Sequence, residues 1–276
     1  MSVRQLSHWQ AATVLRRILR RFLRTWTRIP EAARHAWLIA LAWGWAATGA
    51  VMAVVAWTMQ RLEDAGRLGW EAPLLEWLER DLPLSFGFAL LLDGLSNPVP
   101  LVLITVFLAL FAAWEGRPLR ALSFLAAFFC MALVVFLGWG IWDRARPTVI
   151  LEGIGSPGAA FQSFPSGHLA QATAVYGMAA YLWFRASRSV AERTLVSLGM
   201  VVFLVMLSLG RLRVGAHWPS DVVGGALMGG LWVAALAVAL HRAASVSAAA
   251  AAAPSPSPQR SSSSRLPPIS DPAPGT

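Results

Sequence analysis

Three short polar clusters interrupt a largely apolar chain, and their residue types favour chemistry on an anionic group. The clusters contribute Arg144 and Arg146, then Ser166, Gly167 and His168, and finally Arg211, Arg213, His217 and Asp221. Arginine forks match the oxygens of a phosphate group in bidentate fashion. Histidine serves as a nucleophile or a general acid near neutral pH. The combination indicates phosphoryl transfer.

The third cluster predicts the nucleophile. His217 and Asp221 are four residues apart, so they share a face if both are helical. Asp221 would then accept the Nδ1 proton of His217 and leave Nε2 available to attack phosphorus. Pro219 is compatible with this only in the first turn of a helix. His168 is the candidate general acid for the leaving oxygen, and the two roles predict a bell-shaped pH profile.

The second cluster predicts an anion site at a helix start. Pro165-Ser-Gly-His168 precedes an apolar run, so its backbone N–H groups would be unpaired and would face an anion. Gly167 allows close approach of that anion. Each cluster alone also has a structural reading: a turn into a helix, an arginine near a span end, or a buried His–Asp pair. Their occurrence together favours a catalytic site.

The composition predicts that an all-α, polytopic membrane protein positions these clusters. Of 276 residues, 57% are hydrophobic and 13% are charged, which excludes an ordinary soluble domain. We expect six transmembrane helices in a bundle within a domain of residues 36–242. An outer loop, 60–98, would carry an interfacial helix at 82–95, with a seventh span as the alternative. The predicted spans are 36–59, 99–114, 120–142, 167–184, 194–210 and 219–240.

The two ends of the chain differ from this core. Residues 1–35 carry eight arginines and one acid, with apolar residues at helical spacing, which predicts a basic amphipathic helix on the cytoplasmic membrane surface. The alternative is that this arm only sets the topology. With so apolar a chain behind it, nucleic acid is not an expected partner. Residues 243–276 are rich in Ala, Pro and Ser, which predicts a disordered tail.

The distribution of arginine predicts the orientation. All 23 basic residues are arginines, and six spans with the amino terminus inside place 16 of them inside and 7 outside. Both termini would then be cytoplasmic, in an inner (cytoplasmic) membrane. The three polar clusters would meet on the periplasmic, outer face, where arginine near the membrane is costly unless it has a partner.

These motifs resemble those of the type 2 phosphatidic acid phosphatase superfamily, integral-membrane lipid phosphatases, over roughly residues 36–242. That family shows Lys-x6-Arg-Pro, Pro-Ser-Gly-His and Ser-Arg-x5-His-x3-Asp; the second is complete here at 165–168. The resemblance implies a phosphohistidine intermediate on His217 and a general acid at His168. It also implies phosphate binding by Arg146, Arg211 and the segment from Ser166 to His168.

Two positions depart from the family pattern. Trp139 stands at the lysine position of the first motif, and Gly210 replaces the serine of the third. Removing one preorganised donor to a developing oxyanion costs roughly 10²–10³ in rate. Arg144 or Arg213 could supply the missing positive charge; Arg144 is the predicted substitute, and it would then bind phosphate. Asp143 could instead form an ion pair with Arg144 and keep it from binding phosphate.

The predicted function is therefore hydrolysis of a membrane lipid phosphate or pyrophosphate. A lipid-linked phosphotransferase is the close alternative, and a non-catalytic lipid-phosphate binder with a degenerate site is the alternative from another class. We expect no cofactor. We also expect no metal, because the cluster of arginines disfavours a bound cation. The lipid and the oligomeric state stay open at this point.

Overall fold

The computed structural model describes residues 3–150 and 162–253, with side chains from residue 12 onward. Every regular element in these ranges is an α-helix, which confirms the predicted all-α class. The helices are α1 (Val3–Arg28), α2 (Glu31–Asp64), α3 (Glu71–Asp81), α4 (Phe86–Ser96), α5 (Pro98–Trp114), α6 (Pro118–Ile141), α7 (Gly167–Ala186), α8 (Val190–Arg213) and α9 (Pro219–Ala252).

The predicted number of six spans is not confirmed. Four described helices, α2, α6, α8 and α9, are long and apolar enough to cross a membrane. The pair α4 and α5, bent by 42° at Asn97, would make a fifth if it counts as one span. Helix α7 coincides with the predicted fourth span, but it is less apolar because it carries the polar side chains of Gln171, Thr173 and Tyr176. Because much of α7 is buried by other helices, it need not be apolar all round.

The observed boundaries differ from the predicted ones at three places. Helix α2 begins directly after Pro30. Helix α1 ends before Pro30, because the residue that precedes a proline disfavours helical geometry. The predicted interfacial helix at 82–95 is α4, and a separate α3 precedes it. The predicted disordered tail is helical over 243–252, where the alanine run has high helix propensity. Residues 254–276 lie outside the described part of the chain.

Helix α9 is the central packing element, and it contacts α2 and α7 most extensively. Two glycines allow α7 to approach. A Cβ atom at Gly225 would lie 2.5 Å from the carbonyl oxygen of Ser166, and one at Gly229 would lie 2.5 Å from that of Ala170. Both distances are below van der Waals contact. Gly225 and Gly229, which form a G-x-x-x-G pattern, therefore allow close helix packing within the chain. This packing holds the start of α7 against the start of α9.

The basic arm forms α1, which packs against α5 and α6. Phe22 and Trp26 stack with ring centroids 6.1 Å apart, and Ile18 and Phe22 contact the hydrophobic core. Leu15, Leu19 and Leu23 are exposed. An exposed leucine row beside arginines is typical of a helix lying at a membrane surface. The arm is thus joined to the bundle through one apolar face.

Candidate active site

His217 lies in the turn between α8 and α9, and its side chain is buried. Its Nδ1 is 2.9 Å from the carbonyl oxygen of Ser163. Because a carbonyl oxygen can only accept, Nδ1 donates this hydrogen bond in the neutral ring. Nε2 then carries the lone pair, and it has no hydrogen-bond partner among the described residues. The ring is oriented as a nucleophile requires.

Asp221 lies in the first turn of α9 and holds this segment together. Its carboxylate accepts hydrogen bonds from the Trp218 backbone N–H at 2.8 Å and from Arg144 Nη1 at 2.7 Å. It also accepts a short hydrogen bond from the Ser163 hydroxyl. The nearest Asp221 oxygen is 3.6 Å from His217 Nδ1, which is too long for a hydrogen bond.

The direct His217–Asp221 hydrogen bond expected from the four-residue spacing is therefore not formed. His217 precedes the helix, which begins at Pro219, so the two residues do not share a helical face. Ser163 joins them instead, through its carbonyl to His217 and its hydroxyl to Asp221. Asp221 still lies beside the ring as an electrostatic partner.

Arg144 is buried, and three carboxylates engage its guanidinium. It makes ion pairs with Glu63 at 3.0 Å and Asp221 at 2.7 Å, and a short one with Glu71. It also stacks near the rings of Trp142 and Trp218, at 4.6 and 5.2 Å from their centroids.

The partners of Arg144 thus come from α2, α3 and α9 and do not include Asp143. That Arg144 binds phosphate stays a prediction. In the structure the guanidinium of Arg144 instead holds the carboxylate of Asp221 in position.

Arg211 is buried at the end of α8 and pairs with Asp93 of α4. Its Nε has no hydrogen-bond partner among the described residues. Gly210 makes this pairing possible: a Cβ atom there would lie 3.1 Å from Leu92 Cβ and 3.2 Å from the Ala89 carbonyl oxygen. The glycine that departs from the family serine therefore lets α4 approach α8 and bring Asp93 to Arg211.

The other two arginines are tied to backbone carbonyls. Arg146 Nη1 donates to the carbonyl oxygen of Ala216 at 2.9 Å, next to His217. Arg213 Nε donates to the carbonyl of Leu84 at 3.2 Å. Arg146 thus contacts the residue before His217, and phosphate binding by Arg146 stays a prediction. Arg213 contacts the segment before α4.

The Pro165–His168 segment starts α7 at the same end of the bundle, after a cis peptide bond between Phe164 and Pro165. The Ser166 backbone N–H donates to the carbonyl oxygen of Asp221 at 3.0 Å, which fixes the helix start to α9. The Ser166 hydroxyl is buried and has no partner among the described residues. Gly167 is buried, while His168 is half-buried.

Trp139 supports this segment from α6. Its Nε1 donates to the carbonyl oxygen of Pro165 at 3.1 Å. A Cβ atom at Gly167 would lie 3.4 Å from the Trp139 ring. The residue that departs from the family lysine thus packs beneath the Pro-Ser-Gly-His turn.

The site combines positive charge with buried polar atoms that lack partners in the described chain. These atoms are His217 Nε2, Ser166 Oγ and Arg211 Nε. An unsatisfied buried polar group costs about 1–3 kcal/mol. Burial lowers the pKa of His217 well below its usual range, and the nearby guanidinium groups of Arg211 and Arg146 lower it further, against the opposing effect of the Ser163 hydrogen bond. His217 is therefore neutral at physiological pH.

The described residues contain no group of three or more His, Cys, Asp or Glu side chains arranged to hold a metal ion. The expectation of no metal stays a prediction. The carboxylates that do meet here, from Glu63, Glu71 and Asp221, surround the Arg144 guanidinium. That position is already filled by a cation.

Sequence reasoning missed Ser163, Glu71 and Asp93. Ser163 precedes the recognised motif, and Glu71 and Asp93 lie far away in the chain. One signal was available for the two acids. Arginine side chains in or near a membrane need partners, and the segment 60–98 holds half of the 14 acidic residues of the chain.

Residues 120–244 match the model of the PAP2 superfamily. Lipid A 1-phosphatase of Rhizobium etli is 34% identical over 83 residues, which is 30% of this chain and 31% of the relative. The match thus spans about a third of that relative. No solved structure matches the chain significantly.

The match of residues 120–244 to the PAP2 superfamily confirms the resemblance carried by the three motifs. The matched segment includes the three polar clusters. It leaves out α1 to α5, which supply Glu63, Glu71 and Asp93. Apart from Asp221, the acidic partners of Arg144 and Arg211 therefore come from outside the matched segment.

Proposed function

We propose that this chain is a membrane lipid phosphatase that removes phosphate from a lipid phosphate or pyrophosphate through a phosphohistidine intermediate on His217. One observation carries the proposal: His217 Nε2, Ser166 Oγ and Arg211 Nε are buried at one end of the bundle without partners among the described residues. A phosphate group is the ligand that satisfies a nucleophile, a hydroxyl and a guanidinium together. The match of residues 120–244 to the PAP2 superfamily supports the same chemistry.

The first step forms a bond between His217 Nε2 and phosphorus and breaks the bond to the lipid oxygen. The Ser163 carbonyl holds Nδ1–H, so the ring attacks in the required tautomer. Arg146, Arg211 and Ser166, with the amide groups at Gly167 and His168, would bind the phosphate oxygens. His168 gives its proton to the leaving oxygen. The negative charge of the bound phosphate favours a protonated His168.

The second step transfers the phosphoryl group to water. His168, now neutral, takes a proton from water while the oxygen of that water attacks phosphorus. The bond to His217 Nε2 breaks, and inorganic phosphate leaves with both histidines restored. Throughout, Asp221 stabilises the histidine segment, and Arg144 holds Asp221 in place. In this assignment Arg144 is a positioning residue.

We propose that the substrate is bound at the outer, periplasmic face, because the distribution of arginines along the chain favours that orientation. Candidate lipids are undecaprenyl pyrophosphate, phosphatidic acid and phosphatidylglycerophosphate. Lipid A 1-phosphate joins them because of the relative that acts on lipid A. All four present a phosphate group at the membrane surface.

The test is a panel of these lipids with the purified full chain in detergent. Release of inorganic phosphate, inhibited by vanadate, is expected for at least one lipid. Transfer of labelled phosphate to a second lipid without inorganic phosphate would support a phosphotransferase instead. Vanadate binding without turnover on any lipid would identify a non-catalytic binder and contradict the proposal.

A further inference from the structure

A second basic site lies at the end of the bundle opposite His217. A cavity of about 370 Å³ opens there between α1, the start of α6, the end of α7 and the late part of α9. This volume falls within the range of about 300–1,000 Å³ for small-molecule sites. Helix α9 starts at the candidate active site and reaches this cavity more than 20 residues later, at Leu240. The two sites are therefore separate.

Arginine side chains dominate the polar part of the cavity wall. Arg117, Arg120 and Arg185 line it, together with His241. Arg21 of α1 lies beside the wall as a fourth arginine, because a Cβ atom at the lining residue Gly116 would lie 3.3 Å from its Nε. Gly116 lines the cavity and has φ +73°, which a residue with a side chain would rarely adopt. The turn thus brings the arm against the cavity.

These positive charges lack acidic partners within the described part of the chain. No described residue of the cavity wall is acidic, and none of the four arginines forms an ion pair with a described carboxylate. Arg117 and Arg120 repel each other. The arrangement contrasts with the candidate active site, where carboxylates pair with Arg144 and Arg211. Unpaired neighbouring arginines favour a bound anion.

The rest of the wall fits a lipid better than a soluble anion. Leu119, Leu182 and Leu240 line the cavity. Three of the surrounding helices run from here into the apolar bundle, two of which are long and apolar enough to span a membrane. The first turn of α6 also faces the cavity, and the amide groups of a helix start favour an anion. A phosphate beside apolar chains matches this wall.

We propose that this cavity binds the phosphate-bearing headgroup of an anionic membrane phospholipid, held by Arg117, Arg120 and Arg185. The first acyl carbons of that lipid would lie against Leu119, Leu182 and Leu240. Bound there, the lipid would join α1 to α6, α7 and α9. The proposal is independent of the reaction at His217.

The test measures lipid retained by the full chain with native mass spectrometry. The probe is phosphatidylglycerol, whose phosphodiester offers no monoester to the candidate active site. Phosphatidylcholine and inorganic phosphate serve as the zwitterionic and soluble comparisons. The variant Arg117→Gln/Arg185→Gln removes two charges from the wall. Arg24→Gln/Arg188→Gln removes two exposed charges from the same end of the molecule without touching the cavity lining.

We expect phosphatidylglycerol to bind the wild-type chain more tightly than phosphatidylcholine. The wall variant should weaken its binding about tenfold to thirtyfold, because each arginine near a lipid surface contributes about fivefold. The Arg24→Gln/Arg188→Gln control should stay within about twofold of wild type. Arg117→Lys/Arg185→Lys keeps the charges and should keep most of the affinity, which separates loss of binding from loss of folding.

Three results would overturn the proposal. Equal weakening in the wall variant and the control would mean diffuse attraction to a charged surface. Unchanged binding in the wall variant would place the lipid elsewhere. Displacement of phosphatidylglycerol by equimolar inorganic phosphate would mean that the cavity binds soluble phosphate.

Discussion

At the scale of single residues, His217 is defined by what holds its ring. A backbone carbonyl fixes Nδ1, and burial beside arginines keeps the ring neutral. A backbone acceptor cannot ionise, so the orientation of the ring does not depend on the protonation of a side chain. Ser163 then couples this orientation to Asp221 through its hydroxyl.

The lowered pKa of His217 predicts where activity is lost on the acid side. A histidine attacks phosphorus only when neutral, and a lowered pKa keeps it neutral at lower pH. The acid limb of kcat/KM should therefore lie below pH 6.5, the ordinary histidine value. A pH profile measured on the most active lipid checks this. An acid limb at or above pH 6.5 would contradict the electrostatics of the site.

Trp139 gives a second prediction at this scale, because it supports the turn of the second motif. Trp139→Lys restores the family residue but removes the hydrogen bond to Pro165 and the packing against Gly167. We expect kcat/KM to fall. Trp139→Phe removes the hydrogen bond and keeps most of the packing, so kcat/KM should fall less. The lost hydrogen bond should lower the free energy of unfolding by about 1 kcal/mol. Higher activity in Trp139→Lys than in wild type would show that the site lacks a cation.

At the scale of elements, the site depends on how closely α7 and α9 approach. Gly225→Ala would place a methyl group 2.5 Å from the Ser166 carbonyl, which α7 can accommodate only by moving. We expect lower thermal stability and a loss of activity. Gly230→Ala is the matched control: it lies on the same helix, is exposed, and has no atom within 4 Å of the new Cβ.

The control should be as stable as wild type or more so, because alanine favours helix by up to about 1 kcal/mol over glycine. Thermal unfolding in detergent and kcat/KM measured on the same preparations provide the comparison. Equal effects of the two substitutions would mean that helix contact at Gly225 does not shape the site.

The same scale shows what sequence reasoning can and cannot predict. Hydropathy located α2, α5, α6, α8 and the start of α9, because apolar runs of that length have few alternatives. It also located the helix α7, but whether α7 spans the membrane is not confirmed, because a helix largely buried by other helices need not be apolar all round. Motif spacing gathered the residues around His217. It could not supply Glu71 and Asp93, because their pairing with Arg144 and Arg211 depends on how α3 and α4 fold over the site.

At the scale of the whole molecule, polar residues concentrate at two opposite ends of an apolar bundle. One end holds His217 with arginines paired to acids, and the other holds the arm with unpaired arginines around a cavity. This asymmetry agrees with a fixed orientation in a membrane. Arginine counting predicts that the end bearing the arm is cytoplasmic.

Cysteine labelling in intact cells tests this orientation. In a Cys130→Ser background, Glu76→Cys marks the end near the candidate site, and Ala186→Cys marks the opposite end; both positions are exposed. A membrane-impermeant maleimide should label Glu76→Cys at once and Ala186→Cys only after permeabilisation. The reverse pattern would place the candidate site in the cytoplasm.

The most direct test of the central claim is phosphate release by three forms of the full chain: wild type, His217→Ala and His35→Ala. His35 is a histidine exposed at the opposite end of the bundle, so its variant controls for a generic effect of the substitution. We predict phosphate release by wild type and by His35→Ala. For His217→Ala we predict a loss of at least about 10³-fold in kcat, because no nucleophile remains. Turnover by His217→Ala close to that of wild type would contradict the central claim.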